Sequence, residues 1–212
     1  MKIKRCPVGA LWTNCYLVWD STKHGFLVDP GGDASELGMF ACINDITIDW
    51  VLLTHGHYDH IAGLADARNV AENGVAVHEL DADFLGKPEL NLSNAFGERP
   101  SMFLPAEKTF RDGEIIHVGQ MTIEVIFTPG HTRGSVCFYV KDGDEKLLLS
   151  GDTLFCKSIG RTDHPTGDSS ELQRSLAKLY NLPDNLAVYP GHGHETTIGF
   201  EKRNNPYFCN IN

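Results

Sequence analysis

The stretch Leu53-Thr54-His55-Gly56-His57-Tyr58-Asp59-His60 contains four potential metal ligands within six residues. It continues an apolar run, Trp50–Thr54, which we predict to be a buried strand. His55 and His57 are two residues apart, a spacing that sends both rings to the same side of an extended or turning segment. Imidazole and carboxylate ligands without thiolate favour an open catalytic zinc site over a structural one. One metal would use three of the four groups, so a second metal is expected if further ligands come from elsewhere.

Three later segments offer such ligands, each directly after an apolar, strand-like run. They are Thr128-Pro129-Gly130-His131-Thr132, Ser150-Gly151-Asp152-Thr153 and Tyr189-Pro190-Gly191-His192-Gly193. In each segment a glycine precedes the ligand, which lets the backbone turn sharply and lets a metal approach. Because a rigid scaffold hands functional side chains to a cleft from strand ends, we expect His131, Asp152 and His192 to meet the first cluster.

The pattern of apolar residues and turn signals indicates one domain over residues 1–212, with two sheets and outer helices. An N-cap at Asp33, with Glu36 three residues on, predicts a helix to about Asn44. No clear period appears in residues 86–107, which we predict to be irregular, with a pair of helices as the alternative. The other predicted helices are Ile61–Asn73 and Ser170–Tyr180, and the predicted strands are Ile3–Val8, Cys15–Asp20, Gly25–Val28, Trp50–Thr54, Gly74–His78, Ile115–Val118, Thr122–Phe127, Val136–Val140, Leu147–Ser150 and Leu186–Tyr189.

Composition limits the classes of partner. The net charge of −10 over 212 residues argues against a broad phosphate-binding face, so we expect no nucleic-acid partner. No run approaches the roughly 18 apolar residues of a membrane span, and the basic start Met1–Arg5 is not followed by the apolar region of a signal peptide. The six cysteines form no C-x-x-C pair and are expected to be reduced. These features predict a cytoplasmic protein that acts on a small molecule, and they leave the oligomeric state open.

The motifs together resemble those of the metallo-β-lactamase fold superfamily, and within it the short glyoxalase II-like (hydroxyacylglutathione hydrolase-like) hydrolases. The resemblance covers nearly the whole chain. It implies an α/β (α+β) fold, a four-layer αββα sandwich. The matching segments are Val28–Gly32, Leu53–His60, Thr128–Thr132, Ser150–Phe155, Gly160-Arg161-Thr162-Asp163 and Pro190–Gly193.

The resemblance also implies roles for individual residues. His55, His57 and His131 would bind one divalent metal; Asp59, His60 and His192 would bind a second; Asp152 would bridge both. Asp59 and Asp152 are therefore the predicted catalytic residues. Asp29 would hold a ligand histidine in place, although Asp-Pro-Gly is also an ordinary turn sequence. Two Zn²⁺ ions are the first expectation, with iron and manganese as alternatives because His and Asp ligands accept all three. Candidate substrate contacts are Tyr58, Lys157 and Arg161.

The activity implied is hydrolysis of a thioester such as S-lactoylglutathione by a metal-bridging hydroxide. Full-length glyoxalase II enzymes add a C-terminal helical region that contacts glutathione, and this sequence ends soon after Asn205-Pro206, so another thioester, an ester or a lactone stays open as substrate. The main alternative is a mononuclear iron persulfide (sulfur) dioxygenase, because such enzymes share the Gly160–Asp163 segment. β-Lactam hydrolysis is disfavoured because no cysteine joins the predicted ligands, and a metal-binding protein without catalysis is the alternative from another class.

Overall fold

The first half of the chain forms a mixed six-stranded sheet. The computed structural model describes residues 1–96, 99 and 101–209. The strands follow chain order across the sheet: β1 (Lys2–Val8), β2 (Thr13–Trp19), β3 (His24–Val28), β4 (Thr47–Leu52), β5 (Val75–His78) and β6 (Lys108–Phe110). Strand β2 pairs antiparallel with both β1 and β3, and β3 to β6 pair parallel with one another. Strands β3, β4 and β5 therefore end at the same edge. That edge carries the histidine-rich loop after β4.

The second half forms another six-stranded sheet and a small hairpin. Its strands are β7 (Ile115–Val118), β8 (Met121–Phe127), β9 (Val136–Asp142) and β10 (Glu145–Gly151), followed by the hairpin β11 (Leu154–Phe155) and β12 (Ser158–Ile159), and then by β13 (Ala187–Pro190) and β14 (Thr196–Thr197). Across the sheet the order is β14-β13-β10-β9-β8-β7. Strands β10 and β13 are parallel, so the loops that follow them leave the sheet side by side.

Helices cover the outer face of each sheet. In chain order they are α1 (Ser35–Ile43), α2 (Tyr58–Ile61), α3 (Leu64–Val70), a 3₁₀ helix (Ala82–Gly86), α4 (Pro88–Asn91), α5 (Ser93–Phe96), α6 (Ser169–Tyr180) and α7 (Ile198–Asn204). None of the helices in the described ranges is long and apolar enough to cross a membrane.

Three apolar layers hold the sandwich together, and alternation along the strands builds them. Leu17 and Leu27 pack with α1 and α3, whereas the adjacent Val18 and Val28 face the second sheet. Successive side chains of a strand point to opposite faces, so a strand that is buried on both faces is apolar throughout. The third layer, centred on Leu176 of α6, covers the far face of the second sheet. The predicted αββα sandwich is therefore confirmed.

Two predicted helices were wrong at their ends. Helix α1 begins at Ser35 with Ala34 at its N-cap; Asp33 accepts a hydrogen bond from the Ser35 amide but does not cap the helix. The predicted helix Ile61–Asn73 is shorter in the structure, because Ile61 ends α2 and the next helix, α3, covers Leu64–Val70. At the break the Gly63 amide donates to the Pro30 carbonyl at 2.8 Å, and a Cβ at this position would overlap the backbone of residue 32. Close approach of two backbone segments thus interrupts the helical pattern.

The segment 86–107, predicted to be irregular, contains the end of the 3₁₀ helix and the short helices α4 and α5. Residues 97, 98 and 100 of that segment lie outside the described residues. Strands β6, β11, β12 and β14 and helix α7 were not predicted. All six cysteines are free, as expected for reduced thiols.

Candidate metal centre

The seven predicted ligands meet where the two sheets present the carboxyl ends of their strands. His55 and His57 lie in the loop after β4, and Asp59 and His60 lie in α2. His131, Asp152 and His192 follow β8, β10 and β13 respectively. Five of the seven are buried, while Asp59 and His192 are partly exposed. The centre therefore takes ligands from both sheets and is open on one side.

The first cluster consists of His55, His57 and His131, whose nearest ring nitrogens lie within 4.8 Å of one another. Nδ1 of His57 and Nε2 of His131 are 2.9 Å apart. The rings of His55 and His57 are nearly perpendicular, with centroids 4.8 Å apart. Three imidazoles that face one point from different directions are the donor set of many catalytic zinc sites.

The second cluster consists of Asp59, His60 and His192. Oδ2 of Asp59 lies 3.1 Å from Nε2 of His192 and 3.6 Å from Nε2 of His60. Asp152 lies between the clusters: Oδ1 is 3.3 Å from Nε2 of His60, and Oδ2 is 3.6 Å from Nε2 of His131 and of His192. One carboxylate is thus adjacent to both clusters, which is the position that the predicted bridging role requires.

Several buried polar atoms at this centre have no hydrogen-bond partner among the described residues. They include Nε2 of His55 and of His60 and Oδ1 of Asp152. Leaving a buried polar atom unpaired costs about 1–3 kcal/mol, so three such atoms facing one point call for a group that pairs with all of them. Divalent ions that take nitrogen and oxygen donors fit, and the donor types admit zinc, iron or manganese.

Asp29 holds His60 from behind. Its buried carboxylate accepts hydrogen bonds from the Thr54 amide at 2.8 Å, from the Thr54 hydroxyl at 2.6 Å and from Nδ1 of His60 at 2.9 Å. With its proton on Nδ1, His60 presents the lone pair of Nε2 to the cluster. Asp29 also has a φ of 51°, a left-handed conformation that Asp and Asn tolerate better than most residues. These contacts agree with the positioning role that the resemblance implied.

Other ligands are oriented by groups that sequence reasoning missed. Nδ1 of His131 donates to the Arg161 carbonyl at 2.8 Å, and Nδ1 of His192 donates to the Leu11 carbonyl at 3.2 Å. The Thr13 hydroxyl donates to Oδ2 of Asp59 at 3.2 Å. Partners of this kind fix the tautomer and the ring orientation of a ligand histidine. Two of these three partners are backbone carbonyls. Every residue has one, so no sequence signal could have identified them.

The pKa values of the histidines divide into two groups. Burial, reinforced by neighbouring histidines, holds the pKa of His55 and of His57 well below the usual range, and burial lowers the pKa of His131. For His60 and His192 burial acts in the same direction, but Asp152 and Asp59 outweigh it, so both pKa values are raised. Histidine binds metals as the neutral imidazole. The surroundings of the first cluster therefore favour the neutral form that binds a metal, whereas the carboxylates of the second cluster favour protonation of His60 and His192, so that metal binding there would release protons.

Comparison with known proteins identifies the family. The family model described as "Metallo-beta-lactamase superfamily" matches residues 8–192. The chain belongs to the metallo-beta-lactamase superfamily. A curated relative from this superfamily, hydroxyacylglutathione hydrolase GloC of Haemophilus influenzae, is 37% identical over 98% of this chain and 98% of its own length.

Solved structures of the superfamily agree with the fold described above. BLEG-1 B3 metallo-beta-lactamase has a TM-score of 0.91 and 37% identity, covering 98% of this chain and 99% of its own. TTHA1623 in a di-iron-bound form has a TM-score of 0.83 and 32% identity, covering 96% and 99%. ETHE1 from Myxococcus xanthus has a TM-score of 0.76 and 30% identity, covering 97% and 84%. These similarities support a metal-dependent hydrolase and leave the metal and the substrate undetermined.

The three candidate substrate contacts occupy different places in this superfamily member. Tyr58 begins α2 and lies near Phe103, with ring centroids 6.4 Å apart. The Arg161 guanidinium forms the predicted salt bridge with Asp163, with hydrogen bonds of 2.9 and 2.8 Å, while its own carbonyl contacts His131. Nζ of Lys157 lies 5.7 Å from the centre of the Phe200 ring on α7. All three stay predictions as substrate contacts.

Proposed function

We propose that this chain is a dinuclear metal-dependent hydrolase that cleaves a thioester such as S-lactoylglutathione. The observation that carries the proposal is the position of Asp152, whose carboxylate lies within 3.6 Å of nitrogens from both histidine clusters. A carboxylate there fits two neighbouring ions, because each side of it faces histidines of a different cluster. Similarity to GloC over nearly the full length of both chains supports this substrate class.

The seven ligands would hold two divalent ions, which supply an activated water and polarise the carbonyl of the substrate when they are bound. Asp59 contributes a carboxylate at neutral pH: burial opposes its ionisation, but His60 and His192 outweigh that effect and lower its pKa. Because Thr13 and His192 both contact Oδ2, this oxygen is fixed at the partly exposed side of the centre. It is therefore placed to orient the attacking hydroxide, which is the role we predict for Asp59 beside metal binding. A thiolate is a good leaving group, so cleavage of a thioester needs no strong acid from the protein.

We propose that Arg161 attracts a carboxylate on the thiol part of the thioester substrate. Its guanidinium is about two-thirds exposed and its present partner, Asp163, is equally exposed, so a substrate carboxylate can compete for it at little cost. Because the carbonyl of the same residue accepts from His131, the cation is tied to the metal centre through its own backbone. Lys157 is a weaker candidate because its amine lies over Phe200.

The test combines elemental analysis of the purified protein with a thioester panel that includes S-lactoylglutathione. We expect two ions per chain and thioester turnover. Replacing Asp152 with Ala should lower kcat/KM by on the order of 100–1000-fold, since several kcal/mol of metal-derived stabilisation are at stake. The matched control is Asp144→Ala in the exposed turn between β9 and β10, which should leave turnover unchanged. Wild-type turnover by Asp152→Ala on every thioester would contradict the proposal.

A second candidate is the mononuclear iron persulfide dioxygenase that the Gly160–Asp163 segment suggested. The observation that favours testing this second reaction is the similarity to ETHE1, which covers 97% of this chain. One iron per chain with oxygen uptake on glutathione persulfide would favour it, whereas two zinc ions without uptake would reject it. Iron alone does not discriminate, because TTHA1623 is known in a di-iron-bound form.

β-Lactam hydrolysis belongs in the same panel. We disfavoured it because the ligand set lacks a cysteine, yet a protein named as a B3 metallo-beta-lactamase is 37% identical to this chain with a TM-score of 0.91. The missing cysteine therefore has less weight than the sequence suggested. A chromogenic cephalosporin tests the point directly: we expect its kcat/KM to be far below that of the best thioester, and the opposite order would transfer the proposal to β-lactams.

A further inference from the structure

Another buried aspartate, Asp81, contacts the loops that carry the first cluster. It follows β5 after a short turn, in which its amide donates to the His78 carbonyl at 2.9 Å, and its side chain is fully buried. One of its oxygens, Oδ2, accepts hydrogen bonds from the Gly56 amide at 3.0 Å and from the Thr132 hydroxyl at 2.7 Å. Gly56 lies between His55 and His57, and Thr132 follows His131. A single oxygen atom thus connects the two loops that carry the first cluster.

The burial of this carboxylate is costly and is not offset by an ion pair. Arg133, which lies close in the chain to Thr132, pairs with Asp83 at 2.6 Å and not with Asp81. Burial raises the pKa of this carboxyl to about 6, although hydrogen bonds from the Thr132 hydroxyl and from the Gly56 and Gly134 amides act in the opposite direction. An apolar side chain could fill the same volume without that cost. The carboxylate is therefore explained by what its oxygen connects and not by packing.

Asp81 and Asp29 hold the histidine-rich loop from opposite sides. They follow β5 and β3, the two strands that flank β4 in the sheet. Asp29 contacts the two ends of the region, at Thr54 and His60, whereas Asp81 contacts its middle at Gly56. Asp29 orients a histidine directly, whereas Asp81 contacts the Gly56 amide and the Thr132 hydroxyl, which adjoin the three histidines of the first cluster. The contacts of Asp29 all lie within the first sheet and its loop; those of Asp81 extend to the loop of the second sheet.

We propose that Asp81 is a positioning residue that sets the distance of His131 from His55 and His57, so that the three nitrogens hold one divalent ion. The inference rests on the proposed metal-dependent function. Without the shared oxygen, the loop after β4 and the loop after β8 would lose the contact that joins Gly56 to Thr132, and the His57–His131 contact would have less support. Part of the binding free energy of the ion would then be used to order the three nitrogens, so the affinity for the ion would fall.

The test measures affinity for a metal, not turnover. A His192→Ala parent removes one ligand of the second cluster, so that titration with Co²⁺ against a chromophoric chelator reports the first cluster. Adding Asp81→Ala should weaken Co²⁺ binding by on the order of 10–100-fold, the usual effect of removing a group that orients metal ligands. The Co²⁺ absorption bands should change as well, because the ligand geometry is altered.

Asp20 offers a matched control. It is also a buried aspartate that accepts several backbone hydrogen bonds, from Thr22, His24 and Gln120, but it lies in the turn after β2 and contacts none of the ligands. Asp20→Ala should lower the unfolding temperature and leave Co²⁺ affinity unchanged. If Asp81→Ala does not fold, Thr132→Val removes one of the two connections in a side chain of the same shape, and a smaller loss of affinity is expected.

The outcomes separate this inference from the proposed function. If the parent binds no Co²⁺, the proposed metal centre fails and this inference fails with it. If the parent binds Co²⁺ and the Asp81 or Thr132 variant binds it equally well, only this inference is overturned. Equal weakening by Asp20→Ala would also overturn it, because the effect would then reflect general loss of stability.

Discussion

The substitution Asp29→Asn changes which ring nitrogen of His60, in the second cluster, carries the proton. Asn has the shape of Asp and tolerates the left-handed backbone that residue 29 adopts, with a φ of 51°. Its oxygen can still accept from the Thr54 amide. Its NH₂ group, however, would face Nδ1 of His60, which now donates to Asp29 at 2.9 Å. To accept that bond, His60 must move its proton to Nε2, the nitrogen that faces Asp59 and Asp152.

The magnitude can be worked out in two ways. A hydrogen bond to a charged group contributes about 1.5–3 kcal/mol, and at about 1.4 kcal/mol per factor of ten the loss of the correct tautomer weakens the second ion by roughly 10–150-fold. Variants that lack an orienting partner of a ligand lose about 10–100-fold in affinity. The two estimates agree, so we expect the second ion to dissociate one to two orders of magnitude more readily while the first is retained.

The assay is a Zn²⁺ titration against a competing chelator, with unfolding followed in parallel to show that Asp29→Asn folds. Two binding steps are expected in the wild-type protein, and only the weaker or later step should shift in the variant. Wild-type affinity at both steps would refute the tautomer argument, since a neutral amide would then serve as well as a carboxylate.

Three further predictions concern stability. A Cβ at Gly160 would overlap the carbonyl oxygen of Asp152, so Gly160→Ala should cost about 1–3 kcal/mol in urea unfolding and lower the metal content; an unchanged midpoint would contradict this. Gly38 lies in α1 with no atom within 4 Å of a new Cβ, so Gly38→Ala should stabilise by about 0.5–1 kcal/mol in the same assay, and a loss would count against it. The Asp49 hydrogen bond raises the pKa of the half-exposed His24, so its charged contribution is present below the ordinary histidine pKa and is lost as pH rises through the raised value. His24→Gln should therefore cost about 0.5 kcal/mol at pH 5 and less at pH 9, and equal costs would be evidence against the ion pair.

The residues that the structure brings together at the candidate metal centre could be identified from the sequence because each has a local signature. His131, Asp152 and His192 each follow an apolar run and a glycine, and a strand that ends at a turn has few ways to direct the next side chain. The apolar run from Cys15 to Trp19 in β2 is typical of a strand with both faces covered, whereas the four-layer order was implied by the resemblance. Local pattern and global fold agree at these positions.

Features that depend on distant backbone could not be predicted. The Leu11 and Arg161 carbonyls orient ligands only because the fold brings them to His192 and His131. The helix break at Gly63 arises from contact with Pro30, more than thirty residues earlier. Asp81 resembles any turn aspartate until its contacts with Gly56 and Thr132 are seen. In each case the informative contact joins segments that no local window contains.

Because the predicted ligands are divided between the two sheets, metal supply would affect how long the folded chain persists. The histidine-rich loop follows a strand of the first sheet, and His131, Asp152 and His192 follow strands of the second. Ions bound to all of them would therefore hold the two sheets together. Ions that bind only the folded chain stabilise it by mass action, by about 2.7 kcal/mol for each site at a free concentration of 100 times Kd. A metal-starved cell would then hold a chain that is inactive and also opens more often. Proteases that attack opened chains would remove the empty molecules and spare the loaded ones.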